Sequence, residues 1–199
     1  MTSIREGALD VERVALKEWA VLIDAMARGD VIAMIRKGGI RERRAGFDVR
    51  HHRFLLYPTF FHEKLNELDP RFHPTLESVH ASTPPQGTIE LRYIANVAAV
   101  WQVTELERLR AIDAEHGLTW GAVESRFHYR SDPRVHVVAV RLAKLRSVAS
   151  LPEVRRYTGC VSWVKLDQEL DVSGATAVIS DDVFAARMRA LEHALGASA

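Results

Sequence analysis

Apolar residues near the N-terminus recur at spacings of four and three. Residues at these spacings share one face of an α-helix, so the pattern predicts a single apolar stripe. The predicted helix begins at Asp10 and ends at Gly29-Asp30, where glycine tolerates a left-handed cap. Its stripe consists of Val11, Ala15, Trp19, Leu22 and Met26.

Further along the chain, short apolar runs and alternating apolar residues predict β-strands. The predicted strands cover residues 31–35, 47–57, 88–103, 135–140 and 160–166. Residues 60–68 predict a short helix, and residues 104–127 predict one or two helices around Gly117.

Two further segments have their own patterns. Residues 69–87 hold four of the seven prolines and show no clear period, which predicts a long surface loop. Loops of this length are more often functional than idle. Ser180 is a favourable N-cap for a last helix, because its hydroxyl can accept a bond from the first helical turn. One face of that helix carries Phe184, Met188, Leu191 and Leu195.

The strands and helices do not alternate regularly, which favours the α+β class over a doubly wound sheet. We expect one domain over residues 10–195, with a mixed, barrel-like β-sheet at about residues 30–167. An N-terminal helix and a C-terminal helix over residues 181–195 would flank it. Five short strands would suit a small, partly open barrel.

The composition, 47% hydrophobic and 27% charged, is typical of a soluble globular domain. No apolar run approaches the roughly 20 residues that a membrane span needs. The N-terminus lacks the apolar region of a signal peptide. The single cysteine, Cys160, cannot form an internal disulfide and excludes thiolate zinc clusters. We therefore expect a cytoplasmic protein, and no motif calls for a cofactor or a metal.

Positive charge is concentrated in one segment. Seven of the eighteen residues from Arg36 to Arg53 are Lys or Arg, and only Glu42 and Asp48 oppose them. The segment therefore carries +5, whereas the whole chain carries +1. Charge that is segregated in this way usually faces an anion.

The same segment predicts a hairpin with a Gly38-Gly39 turn. Two glycines allow the backbone to approach a phosphate closely, while the neighbouring cations supply charge. The Walker spacing is absent, so the turn is not a P-loop. An exposed hairpin tip with solvated arginines is the alternative interpretation.

A second stretch in which basic and aromatic residues alternate is Arg126-Phe127-His128-Tyr129-Arg130. Bases stack on aromatic rings that line a basic groove. A helix end whose arginine complements the helix dipole is the alternative. The candidate nucleic-acid contacts are Lys37, Gly38, Gly39, Arg41, Arg43, Arg44, Arg50, Arg53, Arg126 and Tyr129. The candidates for an adjacent pocket are Glu42, Tyr57, His62 and Trp120.

Five histidines fall within thirty residues, close to two glutamates. Imidazoles and carboxylates can bind zinc or a catalytic metal, but the spacings match no known ligand motif. The histidines are His51, His52, His62, His73 and His80. With Glu42 and Glu90 they define a rival interpretation, a metal-dependent hydrolase or nuclease.

Several stretches together resemble an uncharacterised bacterial family, one of the domains of unknown function. They are residues 16–20, 35–42, 54–59 with His62, 126–129 and 159–164. The resemblance runs from about residue 14 to residue 167. Members of that family sometimes occur beside a restriction-endonuclease-like domain, which implies a link to DNA restriction or processing and an endonuclease partner.

The layout also resembles the small barrels of the PUA type, a group that includes domains that bind RNA or modified DNA bases. Residues 38–42 would form its turn-and-acid segment and residues 54–57 its next strand. The combined interpretation is a non-enzymatic module that binds DNA or RNA through the basic hairpin. A protein interaction module is a third interpretation, and it requires an exposed apolar stripe on the last helix.

Overall fold

One mixed β-sheet organises the chain. The computed structural model describes residues 10–37, 51–60, 64–159 and 161–196. Its seven strands run in the order β2-β5-β4-β3-β1-β6, and β7 pairs with β5. The strands are β1 (Val11–Trp19), β2 (Ala33–Arg36), β3 (Arg53–Thr59), β4 (Thr88–Val103), β5 (Val135–Pro152), β6 (Trp163–Asp171) and β7 (Thr176–Ala177).

The helices lie between and after these strands. The α-helices are α1 (Ala20–Arg28), α2 (Leu76–Ala81), α3 (Trp120–Phe127) and α4 (Asp181–Leu195). Segments of 3₁₀-helix cover Pro70–Thr75, Leu106–Glu115, Tyr129–Ser131 and Arg155–Tyr157. Within the described residues, no helix combines the length and apolar character that crossing a membrane requires.

The α+β class is confirmed, but the barrel is not. β1 pairs with β3 in parallel, and the other strand pairs are antiparallel. Over the described ranges β2 and β6 lie at opposite ends of the strand order and do not pair. The sheet is therefore open, and its long strands β4 and β5 provide the central pairing.

The predicted N-terminal helix is wrong over its first half. Residues Val11–Trp19 form a strand that lies between β3 and β6, and helix begins only at Ala20. Ala15 and Leu16 are both completely buried, because each faces an apolar layer on a different side of the sheet. Pairing with two distant strands overrides the local helical period.

The apolar residues form two clusters, one on each face of the sheet. Alternation along β3 shows the division: Phe54 and Leu56 pack in the larger cluster with the helices, and Leu55 and Tyr57 pack in the smaller one. A strand that is buried on both faces reads as a continuous apolar run, and residues 54–57 form such a run.

The C-terminal helix is confirmed with its cap. The Ser180 Oγ accepts a bond from the Val183 backbone N–H at 3.4 Å. Leu191 is completely buried, and Phe184 and Met188 pack against the larger cluster. The stripe that the interaction-module interpretation requires to be exposed is therefore covered by the protein's own core, and that interpretation loses its premise.

The proline-rich segment is more ordered than predicted. Instead of one long loop, residues 70–81 form a 3₁₀ segment followed by α2. Asp69 caps this segment, since its side chain accepts a bond from the Arg71 backbone N–H at 3.0 Å. The loop proper is confined to residues 82–87.

Candidate functional site

The two basic segments singled out from the sequence meet where β2 ends. The Lys37 Nζ donates hydrogen bonds to the backbone oxygens of Phe127 at 2.8 Å and Arg134 at 2.7 Å, and also to that of Asp132. These oxygens belong to the end of α3 and the turn that follows it. Burial lowers the pKa of Lys37. Lys37 therefore fastens the start of the basic segment to the turn after α3.

Next to this anchor lies a cavity of about 140 Å³, which we call the inner cavity. It lies between α1, β2 and the region around α3. Apolar side chains of α1 and β2 supply much of its wall, including Leu22, Met26 and Met34. Its polar lining consists of Glu18, Arg36, Lys37, His116, Arg126 and Ser162.

Arg36 and Glu18 form an ion pair in the wall of the inner cavity. The Arg36 Nη2 donates to the Glu18 carboxylate at 2.8 Å and to the Lys17 backbone oxygen at 2.9 Å. The other Glu18 oxygen accepts from the Trp19 backbone N–H at 2.9 Å. The Arg36 and Glu18 side chains are only 17% and 12% exposed. The Arg36 Nε is buried, and within the described part of the chain it has no hydrogen-bond partner.

His116 has a second buried nitrogen that lacks a hydrogen-bond partner among the described residues. Its side chain is fully buried, and its Nδ1 accepts a bond from the Leu118 backbone N–H at 3.1 Å. Burial lowers the pKa of His116 to about 4, and the neighbouring guanidinium of Arg126 adds to the effect. The ring is therefore neutral at pH 7 and carries its proton on Nε2.

The His116 Nε2 finds no hydrogen-bond partner among the residues that the structure describes. The Asp113 Oδ1 lies 3.8 Å away, which is beyond hydrogen-bond range. Two buried N–H donors, on Arg36 and His116, thus belong to residues that line one cavity.

Arg126 brings a third cationic side chain to the inner cavity from α3. Its guanidinium lies 5.4 Å from the centre of the Trp19 ring and 3.7 Å from a Glu67 carboxylate oxygen. Burial lowers the pKa of Arg126. A guanidinium keeps its charge even so, and stacking on an aromatic face suits its planar shape.

Other predicted contacts lie away from this cavity. The Arg53 guanidinium bonds to Asp10 at 2.6 Å, to Glu12 at 3.3 Å and to the Val11 backbone oxygen at 2.9 Å. The hydrogen bond to Asp10 is the main cause that raises the pKa of Arg53. Its charge is therefore balanced locally. Several predicted residues lie outside the described residues: Gly38, Gly39, Arg41, Glu42, Arg43, Arg44, Arg50 and His62.

Tyr57 lies in the wall of a larger cleft of about 560 Å³, which we call the outer cleft. Its hydroxyl donates to Glu153 at 2.5 Å, and burial is the main cause that raises its pKa. Lys17 also lines this cleft, with its Nζ 5.4 Å from the centre of the Tyr57 ring. Along β1, therefore, Lys17 borders the outer cleft and Glu18 borders the inner cavity.

The remaining two candidates lie on or after α3. Trp120 begins α3, and the Arg110 guanidinium covers its ring at 3.7 Å from the centre. It thus lies apart from Tyr57 and the outer cleft. Tyr129 is 50% exposed and lies under the Arg130 guanidinium at 5.2 Å. Half of the residue is exposed, so solvent reaches its ring.

The histidines of the rival metal interpretation are dispersed where the structure describes them. His51 packs edge-on against Trp163, with ring centres 5.1 Å apart. The His73 Nε2 lies 3.1 Å from two backbone oxygens, those of Leu65 and Leu68. Glu90 pairs with Arg92 at 2.5 Å. In the described ranges, no group of three or more His, Cys, Asp or Glu side chains is placed to hold a metal ion.

Sequence reasoning found Lys37 and Arg126 but missed other residues of the inner cavity. His116 and Ser162 stand alone in the sequence, without a motif around them. Glu18 was placed on a predicted helix, and only the strand pairing turns it toward Arg36. The glycine that follows His116 indicates a break before α3, and in the structure Gly117 has a φ of 72°, but this does not indicate that the histidine is buried.

The chain matches the model of one known protein family. The family described as domain of unknown function (DUF1802) matches residues 15–190. The chain belongs to this family. Membership in an uncharacterised family was the expectation from the residue patterns, and it is confirmed. A search among curated proteins found no significant match.

Two solved structures of one protein are similar to the chain. The crystal structure of a serine-to-alanine mutant of ASCH from Zymomonas mobilis matches at 13% identity and a TM-score of 0.46, covering 81% of this chain and 92% of that one. The crystal structure of ASCH from the same organism matches at 13% identity and a TM-score of 0.43, covering 78% and 87%.

Proposed function

We propose that the chain is a nucleic-acid-binding module whose binding surface joins the basic segment 36–53 to the turn after α3. The observation that carries the proposal is the anchor at Lys37, which ties together two basic segments that are 90 residues apart. Arg36 and Arg126, one from each segment, line the same inner cavity. Cations that converge at one place provide the field that attracts a polyanion.

The charged residues have different roles in this proposal. Lys37 and Arg53 have internal partners, so they would position the segment. Phosphate contacts would come from the four arginines between them: Arg41, Arg43, Arg44 and Arg50. Tyr129, with a half-exposed ring at the edge of the same region, would stack on a base.

Salt dependence tests the proposal. Fluorescence anisotropy with labelled single-stranded and duplex oligonucleotides measures the dissociation constant at several salt concentrations. Four phosphate contacts should give a log–log slope of about −3 for single strands and −4 for duplex DNA. Undetectable or salt-insensitive binding would overturn the proposal.

A matched pair of variants locates the contacts. Replacing the four arginines of the segment with Gln should weaken binding and bring the slope close to zero. The control replaces four exposed cations elsewhere with Gln and should keep the slope: Lys144, Arg146, Lys165 and Arg189. If both variants lose affinity equally, the effect is one of net charge, and the proposed surface is wrong. The PUA-type layout and the link to DNA restriction stay predictions.

A further inference from the structure

We propose that the inner cavity is a phosphate site that receives the terminal phosphate of a nucleic-acid strand. This inference rests on the proposed function and names the part of the nucleic acid that the cavity would bind. Three features of the cavity support it: an excess of positive charge, donors that a ligand can reach, and a size that suits one phosphate group.

Positive charge exceeds negative charge in the lining of the inner cavity. Arg36, Lys37 and Arg126 contribute three cations, whereas Glu18 is the only carboxylate among the lining residues that the structure describes. His116 is neutral at pH 7 and adds no charge. Since Glu18 is paired with Arg36, two cations remain. A phosphate monoester carries about −1.5 to −2 charges at pH 7, so a terminal phosphate would neutralise them.

Two acids outside the lining do not remove this excess. Glu67 lies 3.7 Å from Arg126, and with Glu67 counted the cluster still has one more cation than it has carboxylates. Asp132 lies near Lys37, but it forms its own ion pair with Arg134 at 2.9 Å. Burial lowers the pKa of Lys37 and of Arg126, so both cations have lost part of their hydration. An anion stabilises such cations more than it stabilises fully hydrated ones.

The cavity offers donors that a ligand can reach. The Arg126 side chain is 28% exposed, and among the described residues its guanidinium makes no hydrogen bond. Its planar fork of N–H groups fits two oxygens of a phosphate. Ser162 is half-buried in the same lining, and its hydroxyl can donate a further bond. Lys37 adds charge only, because carbonyl oxygens already accept its three N–H groups.

The size of the cavity suits the end of a strand. Its volume of about 140 Å³ corresponds to roughly four to five water molecules, and a phosphate group with its oxygens is of that size. The wall at Arg36 and Glu18 is largely enclosed, with side-chain exposures of 17% and 12%. An internal phosphodiester needs an entry and an exit for the chain, whereas a terminal phosphate needs one opening. The strand would then continue over the surface that carries the basic segment.

Strands that differ only at their ends test this inference. A short single strand with an internal fluorophore is compared by anisotropy in three forms: with a 5′ phosphate, with a 3′ phosphate and with neither. A strand one nucleotide longer, without a terminal phosphate, matches the number of phosphates. We expect one phosphorylated end to raise the affinity about tenfold over both strands that lack it, which is what one charge-assisted hydrogen bond contributes. Equal binding of all four strands with a steep salt dependence would overturn the inference and leave the phosphate-binding surface standing. If none binds, both are wrong.

Matched variants assign the effect to the cavity, with the affinity ratio of phosphorylated to unphosphorylated strand as the readout. Arg126→Gln removes the positive charge and should reduce this ratio from about tenfold to about twofold. Arg189→Gln removes one exposed cation from α4 and should keep the whole ratio. A ratio that survives Arg126→Gln, or that falls equally in both variants, would overturn the inference. Circular dichroism checks folding. If Arg126→Gln does not fold, Ser162→Ala decides: it should lower the ratio about threefold, and an unchanged ratio would overturn the inference.

Inorganic phosphate distinguishes a strand end from a free anion. Added at constant ionic strength, it should compete away the gain from the terminal phosphate while the unphosphorylated strand stays bound. If inorganic phosphate instead raises the melting temperature of the wild type but not of Arg126→Gln, and no strand gains affinity from a terminal phosphate, the cavity binds a free phosphate and the link to a strand end is wrong.

Discussion

The buried imidazole of His116 makes the stability of the protein depend on pH. In the unfolded chain a histidine has a pKa of about 6.5, whereas burial lowers the pKa of His116 in the folded protein to about 4. Between these values the unfolded state binds more protons, so the free energy of unfolding falls as the pH falls. The contribution of the neutral ring is fully present above pH 6.5 and is lost by pH 4.

The difference between the two pKa values sets the size of the effect. The free energy of unfolding should fall by about 2 kcal/mol from pH 7.5 to pH 5, and by about 3 kcal/mol from pH 7.5 to pH 4. Urea unfolding of the wild-type protein and of His116→Gln at pH 7.5, 6, 5 and 4.5 measures the effect. The free-energy difference between the two proteins should narrow by about 2 kcal/mol from pH 7.5 to pH 5.

The subtraction isolates His116, because other titrating groups are shared by the two proteins. His193→Gln, which changes an exposed histidine on α4, is the matched control and should stay within about 0.5 kcal/mol of wild type throughout. A wild-type-minus-variant difference that stays constant from pH 7.5 to pH 4.5 would refute the assignment of His116 as a neutral, buried imidazole.

Two further substitutions test the framework around the site. Lys37→Met leaves three carbonyl oxygens without their donor and should lower the free energy of unfolding by about 1.5–3 kcal/mol in chemical denaturation, whereas Lys64→Met, on an exposed ion pair, should cost under about 1 kcal/mol. Equal losses would contradict the anchor. Gly29→Ala should lower the melting temperature more than Gly87→Ala: both glycines have positive φ, but a Cβ at Gly29 collides with Ile179 and one at Gly87 meets nothing. The reverse order in calorimetry would be inconsistent with this packing.

Local signals in the sequence were enough for several elements. The alternation in residues 88–103 predicts β4 with its observed bounds, and Ser180 predicts the start of α4. The cap of α4 is a local contact, and β4 shows enough apolar alternation to indicate a strand although its partners β3 and β5 lie far away in the sequence. The strand β1 could not be found in this way, because its conformation depends on pairing with β3 and β6, which lie about 40 and 150 residues further along the chain.

The site shows the same division between local and long-range information. Arg126 could be singled out because basic and aromatic residues alternate around it. His116 could not be singled out. It is distinguished by its burial and by the hydrogen bond that it accepts from the Leu118 amide, and neither leaves a pattern in the sequence. The concentration of cations in residues 36–53 predicted a charged surface, but not that Lys37 and Arg53 would find partners within the fold.

Two neighbouring side chains at the end of β1 line different cavities. Lys17 pairs in register with Tyr57 and faces the outer cleft, while Glu18 pairs in register with Pro58 and faces the inner cavity. Inserting or deleting one residue in this strand would exchange the two side chains, sending an ammonium group toward Arg36 and a carboxylate toward Glu153. A substitution at Lys17 or Glu18 can therefore change the lining of one cavity alone, whereas a change in the length of β1 would alter the linings of the inner cavity and the outer cleft together.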